Sequence, residues 1–210
     1  MKSLFHPSYF PGIATMSAMV RREVVWELHD NYQKQTYRNR CCICTDSGKH
    51  LLSIPIQHVG GTNGRQRYQA VHIDNSYPWQ RQHWRTLETA YRTSPFFEYY
   101  EDDLYPLFHQ KFDSLINFNL KTISFLYDVL QLETPTAVTE AYEMAPDAYT
   151  DLRFLIGAKK EPQWAPEPYV QVFGDRHGFI PNTSTLDLLF NEGPNALSYL
   201  KAQHIPFLDA

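Results

Sequence analysis

Cysteine is scarce in this chain of 210 residues, and the three present are crowded at Cys41, Cys42 and Cys44. That spacing excludes a disulfide framework and falls one thiolate short of a four-cysteine zinc site. In a strand, Cys42 and Cys44 share a face while Cys41 points the other way, so three small apolar side chains in a reducing compartment are expected. No positively charged start leads into a long apolar run, and no segment stays apolar over the length a bilayer requires. A cytoplasmic protein without signal peptide or membrane span is therefore expected. The glycines of GGTNGR, residues 60–65, follow neither the Gly-x-Gly-x-x-Gly spacing of dinucleotide sites nor the Lys-Ser/Thr ending of a P-loop. No cysteine or serine stands in a recognisable nucleophile motif, which argues against a covalent enzyme intermediate. Neither a metal nor a cofactor is expected.

What is abundant is apolar and aromatic: 43% of residues are hydrophobic and 15% are Phe, Trp or Tyr, enough for one compact domain over residues 1–210. The net charge of -4 conceals a division. Residues 1–100 hold 12 Lys and Arg against 7 Asp and Glu, whereas residues 101–210 hold 7 against 16. Within 34–85 eight Lys and Arg face only Asp46 and Asp74. Such a concentration binds an anion, pairs with the acidic half, or does both. Nucleic acid is a poor candidate for that anion, since the chain has a pI near 6.1 and no reading motif.

The pattern predicts an α/β fold: a mixed β-sheet with a β-α-β start, a β-hairpin insertion and several packed helices. A short strand at 3–6, a helix at 13–22 and a β-branched run at 24–28 form the start. Cys41 to Thr45, a turn at 46–48, and 51–57 form the hairpin. Strands are further expected at 68–73, 137–142 and 169–173. Pro78 opens a helix on which Trp84, Leu87 and Tyr91 make one apolar stripe, with His83 on its edge. Apolar residues from Leu104 to Leu130 recur at helical spacing for about seven turns, with Pro106 placed in the first. Thr183 or Ser184 caps a helix that ends at Gly193, and Pro194 starts another.

Candidate chemistry follows from position. His6 ends the first strand, and Asp30 lies just beyond the second, where open α/β sheets present ligand loops; Asp30 also reads as a turn residue. Tyr32 to Arg40, YQKQTYRNR, is the densest mixture of aromatic and cationic side chains. Its Lys34, Arg38 and Arg40 suit a phosphate or carboxylate, with Asn39 adding an amide; a solvated loop or charge-protected edge is the alternative. His83 is either a titratable site residue or a satisfied core histidine. Asn182, beside a helix start, suits an anion or simply serves the cap.

Four stretches then resemble the WbqC-like proteins of bacteria, in order and separation: His6 with Tyr9 and Pro11, YQKQTYRNR, QHWRTLETAYRTSPFF, and GFIPNTSTLDLLFNEGPNAL. The last two carry the most specific likeness. The family is associated with surface-polysaccharide and O-antigen gene clusters. The resemblance implies acyl or aminoacyl transfer onto a nucleotide-linked amino sugar, with an acyl thioester as a possible donor. It places His6, Asp30, Lys34, Asn39, Arg40, His83, Asn182, Asp187 and Asn191 on the family's recurring polar positions. Two departures mark a short variant: Pro7 follows His6 directly, where the family pattern reads His-Gln-Pro, and the Gly-Arg-Asp-Tyr segment of longer members is missing. In the implied transferase, His6 or His83 acts as general base and the cations hold phosphate. A non-catalytic anion-binding or scaffold protein of a polysaccharide assembly system is the alternative, and the oligomeric state is left open.

Overall fold

The computed structural model describes residues 2–57, 66–159 and 163–209. At its centre lies β1 (Lys2–Phe5), whose last three residues are buried. It pairs in parallel with β2 (Glu23–Trp26) on one side and with the two-residue β5 (Thr150–Asp151) on the other. Parallel neighbours need a crossover, and α1 (Ile13–Arg21) supplies it, burying Ile13, Met16 and Met19. The register sets Phe5 opposite Trp26, and Glu27 N donates to Phe5 O at 2.8 Å. Both strands therefore end at one level, and the residues that follow them, His6 and Glu27, emerge side by side.

The antiparallel pairing is a ladder of its own, β3 (Arg40–Thr45) with β4 (Gly48–Ser53). Gly48 turns the corner at a φ of 93°, a left-handed conformation that side chains disfavour. All three cysteines are buried on β3 and none forms a disulfide, and burial pushes the Cys41 thiol well above 9. These are apolar fillers, as their spacing predicts.

α2 (Trp79–Tyr91) buries the expected stripe, with Trp79, His83, Trp84, Leu87 and Tyr91 all inside. The long helix expected over 104–130 is instead two. α3 (Phe97–His109) stops at Gln110, and α4 (Leu115–Val129) restarts behind Ser114, whose side chain accepts from Asn117 N. The backbone between them pairs with another segment: Ile73 N donates to Asp113 O and Leu115 N to Val71 O. Those bonds offer the carbonyls and amides an alternative to the helix ladder. Because α3 begins earlier than expected, Pro106 falls in its C-terminal half rather than its first turn.

Three expected strands are also replaced. Tyr68–Ala70 is a 3-10 turn, and only Val138 of 137–142 makes a β-bridge, to Trp26. At 169–173 the ladder's place is taken by a side chain: Gln171 accepts from Ile180 N at 2.8 Å and donates to Ile180 O at 3.1 Å. After the short α5 (Gly174–His177), α6 (Thr185–Glu192) starts at Ser184, which accepts from Leu186 N. It ends at Gly193, where a Cβ would come 2.6 Å from the Phe96 ring. The 3-10 turn Gly193–Asn195 then leads to α7 (Ala196–Ala202) and α8 (Pro206–Asp209). α1 packs on α6 and α7, α2 on α3, and α3 on α4 and α6. Segment 60–65, expected as a glycine-rich loop, lies outside the described residues. Among the described residues no helix is long and apolar enough to cross a membrane.

Candidate functional site

The carboxyl ends of β1, β2 and β5 deliver charged side chains to one place. His6 follows β1, Glu27 and Asp30 follow β2, and Asp151 ends β5 with Arg153 just beyond. His6 Nε2 lies 3.1 Å from Asp30 Oδ2, which also accepts from Arg38 at 2.9 Å. Asp30 Oδ1 accepts from Asn31 N at 2.6 Å, the turn role the sequence allows for it. Arg153 grips Asp151 through Nε at 2.9 Å and a terminal nitrogen at 2.7 Å. The site thus lies where strand ends of an open parallel sheet leave unpaired loops for ligands.

Both nitrogens of His6 face acceptors. Nδ1 is 3.2 Å from the Glu27 carbonyl oxygen, which only accepts, so Nδ1 carries a proton. Burial is the largest influence on the ring and lowers its pKa below 6.5; the Asp30 hydrogen bond opposes this and the Arg38 charge adds to it. For Asp30 burial alone would raise the pKa, but the hydrogen bond and charge of His6, with Arg38, hold it below 3.8. With Nδ1 protonated toward the Glu27 carbonyl, Nε2 donates to Oδ2 only when the ring carries a second proton. Uptake of one proton completes the bond between Nε2 and Oδ2, which makes the pair a proton-accepting unit.

Arg38 is fully buried, yet neither its Nε nor its NH1 has a hydrogen-bond partner. The guanidinium lies 5.2 Å from the centre of the Tyr68 ring. Asn119 fixes this wall, donating to the Arg38 carbonyl and to the Tyr68 hydroxyl, each at 2.6 Å, while the Tyr68 hydroxyl donates to Pro7 O at 2.7 Å. Arg40 adds a second buried, unpartnered Nε, and its charge lowers the pKa of Tyr32 against the larger effect of burial, as Arg38 does more weakly. Unsatisfied buried donors cost about 1–3 kcal/mol each. Arg38 and Arg40 together hold three such buried nitrogens. Lys34 is exposed at this loop, and Asn39 is buried and donates to Ile54 O at 2.9 Å.

The other sequence candidates sit elsewhere. His83 bonds the Tyr9 hydroxyl at 2.9 Å, stacks on Tyr9 and meets the edge of Trp79. Burial drives its pKa down to about 4, with the Ser53 carbonyl opposing, so the ring is a neutral core member. It shares none of these partners with His6. Asn182, at a φ of 51°, accepts from Ala14 N at 3.0 Å and so caps α1. Asp187 is fully buried in α6 and accepts from Tyr91 at 2.6 Å, Gln171 at 2.8 Å, Thr183 at 3.2 Å and Tyr169. Asn191 donates to the Asp187 carbonyl one turn back, at 2.7 Å. The structure brings His6, Asp30 and Arg38 together, and it spends Asn182 on the cap of α1 and Asp187 and Asn191 on the bonds that hold α6.

Sequence reasoning passed over Glu27, Arg153, Tyr68 and Asn119. Glu27 carried a signal: it directly follows the apolar run of β2, as His6 follows β1. Among the described residues no three His, Cys, Asp or Glu are grouped to hold a metal ion.

A model of the WbqC-like protein family matches residues 6–161, about three quarters of the chain and all the strand-end residues above. The stretch 178–197 lies beyond the matched residues. Uncharacterized protein Rv1507c of Mycobacterium tuberculosis is 26% identical over 230 aligned residues, covering 95% of this chain and 96% of that protein. No solved structure matches the chain.

Proposed function

The chain belongs to the WbqC-like protein family, and from that premise we propose a transferase that moves an acyl or aminoacyl group onto a nucleotide-linked amino sugar in surface-polysaccharide assembly. Arg38 carries the reading. A buried guanidinium with two unpartnered nitrogens, backed by Arg40, suits the paired oxygens of a phosphate or diphosphate. Tyr32, half-buried beside both arginines, offers a face to a sugar or base.

The His6–Asp30 pair then serves the proton. As the acceptor amine attacks an activated carbonyl, the C–N bond forms and the thioester C–S bond breaks. The proton lost by the amine passes to the pair and from there to the departing thiolate. The charge of Asp30 stabilises the imidazolium formed on the way.

One observation favours a second reading, a binding protein without chemistry. Both His6 nitrogens already have partners inside the protein, so a substrate must displace one to use the ring.

Thermal-shift titration with uridine diphosphate, nucleotide-linked amino sugars and acyl thioesters tests the first reading. The expected result is a rise in Tm with a nucleotide sugar that is lost in Arg38→Lys, a variant that keeps the charge but not the fork. No response to any anion sinks the reading. His6→Gln separates the two: as a transferase it loses roughly a hundredfold in rate while binding is retained. As a binding protein it changes nothing.

A further inference from the structure

Glu27 is shared between two places. Its carbonyl oxygen holds the His6 ring, and its residue lines a cavity of about 290 Å³ together with Leu4 of β1 and with Thr139, Glu140, Glu143 and Tyr149. Trp26 bridges to Val138, and Thr139 N donates to Trp26 O at 3.0 Å, which fixes this wall against β2. The lining holds three carboxyl side chains and no Lys or Arg. Glu27 itself is fully buried; Oε1 accepts from His29 N at 2.6 Å, but Oε2 accepts no hydrogen bond. Arg153 NH1 stands 3.9 Å from Oε2, beyond hydrogen-bond reach. That guanidinium is engaged by Asp151 and by the carbonyls of Glu143 and Met144. An acidic cavity with a buried, unfilled acceptor calls for a cationic donor, and its size suits one sugar ring or aminoacyl group rather than a nucleotide.

Contacts run without a break from this cavity to the guanidinium: Glu27 to His6, His6 to Asp30, Asp30 to Arg38. We infer that the Glu27 cavity binds a primary ammonium group, and that the chain selects ligands carrying a free amine at one end and an anion at the other. The inference rests on Arg38 being the anion site. An amino-sugar amine and the α-ammonium of an aminoacyl group share this chemistry, and N-acylation of either removes the charge and leaves one N–H donor in place of three.

Proton–nitrogen NMR titration of the labelled chain tests it with glucosamine and alaninamide, each against its N-acetyl counterpart, and separately with uridine diphosphate. The expected result is movement of the His29 and Thr139 amides with one or both amines and none with the acetylated forms. Glu27→Gln keeps an oxygen for His29 N and is expected to weaken amine binding roughly tenfold. If that variant fails to fold, the exposed pair Glu140→Gln/Glu143→Gln is expected to weaken it about threefold. Equal response to amine and acetyl forms, silence toward both amines, or unchanged affinity in the folded carboxyl variants overturns the inference. Uridine diphosphate bound while both amines are silent removes the amine site alone. Amines bound while uridine diphosphate is silent removes the Arg38 reading instead.

Discussion

Two buried carboxyl groups, Asp30 and Asp187, differ in the partners that surround them. Asp187 sits in α6 among neutral donors, the hydroxyls of Tyr91, Tyr169 and Thr183 and the amide of Gln171, and every one points at it. Asp30 sits at a strand end between an imidazole and a guanidinium, and the guanidinium keeps donors to spare. Burial raises the pKa of Asp187 above 3.8 in spite of its hydrogen bonds, whereas the charges of His6 and Arg38 reverse the same effect at Asp30. A saturated polar centre made of neutral groups holds helices in register. A charged centre with unfilled donors is where we propose that a ligand binds.

The largest expected effect breaks the saturated centre. Asp187→Ala takes the shared acceptor from four donors and removes the tie between α2, α6 and the 169–171 segment. A loss of about 4 kcal/mol is expected in urea unfolding, with no comparable loss for Asn191→Ala. A loss under about 1 kcal/mol would show that the hub is dispensable.

His83 provides the next test, because it decides which centre an isolated buried histidine resembles. Its folded pKa near 4 lies below 6.5. The unfolded chain therefore binds the extra proton first, and stability falls as pH drops from about 6.5 toward 4. The full difference is roughly 3 kcal/mol. His6 and Asp30, both lowered, also favour the folded state above their unfolded values, while Asp187, raised, contributes stability that fades as pH rises through its folded pKa. Urea melts at a series of pH values should show a slope that His83→Gln flattens; an unchanged slope in that variant refutes the assignment.

At the unsaturated centre the effect is on ligand rather than fold. Arg38→Lys keeps the pair with Asp30 but not the planar fork, and about a tenfold loss of uridine diphosphate affinity is expected by calorimetry, with a change in Tm of the free protein that is small beside that of Asp187→Ala. The smallest effect belongs to Asn182→Gly. Glycine keeps the φ of 51° and removes the oxygen that accepts from Ala14 N, costing about 1 kcal/mol in thermal unfolding.

Much of the frame was legible because its signals are local. The β-α-β start, the hairpin around Gly48, the stripe on α2 and the Ser184 cap each arise from neighbours within a turn or two. Periodicity could not see the break between α3 and α4, since the bonds that stop the helix come from residues 71–73. Nor could it see that Gln171 would replace a ladder with its own amide. At the candidate site, His6, Asp30 and Arg38 stood out as reactive types beside predicted strand ends. Glu27, Tyr68, Asn119 and Arg153 did not, because each matters only through a partner 15 or more residues away or, for Arg153, through the turn that β5 sets.

The amino-acid sequence by itself determined which segments are helix or hairpin and which residue types could carry charge, since backbone preference and side-chain period act over a few residues. Only the tertiary structure decided which of those polar residues meet. The same stretch 182–191 that reads as an anion site became a capping and hydrogen-bonding junction once α1 and α2 packed against it. The strand ends at His6 and Asp30 are buried as well, yet the Arg38 and Arg40 beside them keep nitrogens without an acceptor. Which partners a buried acid meets is a long-range property, and those partners, not burial alone, set Asp187 and Asp30 apart.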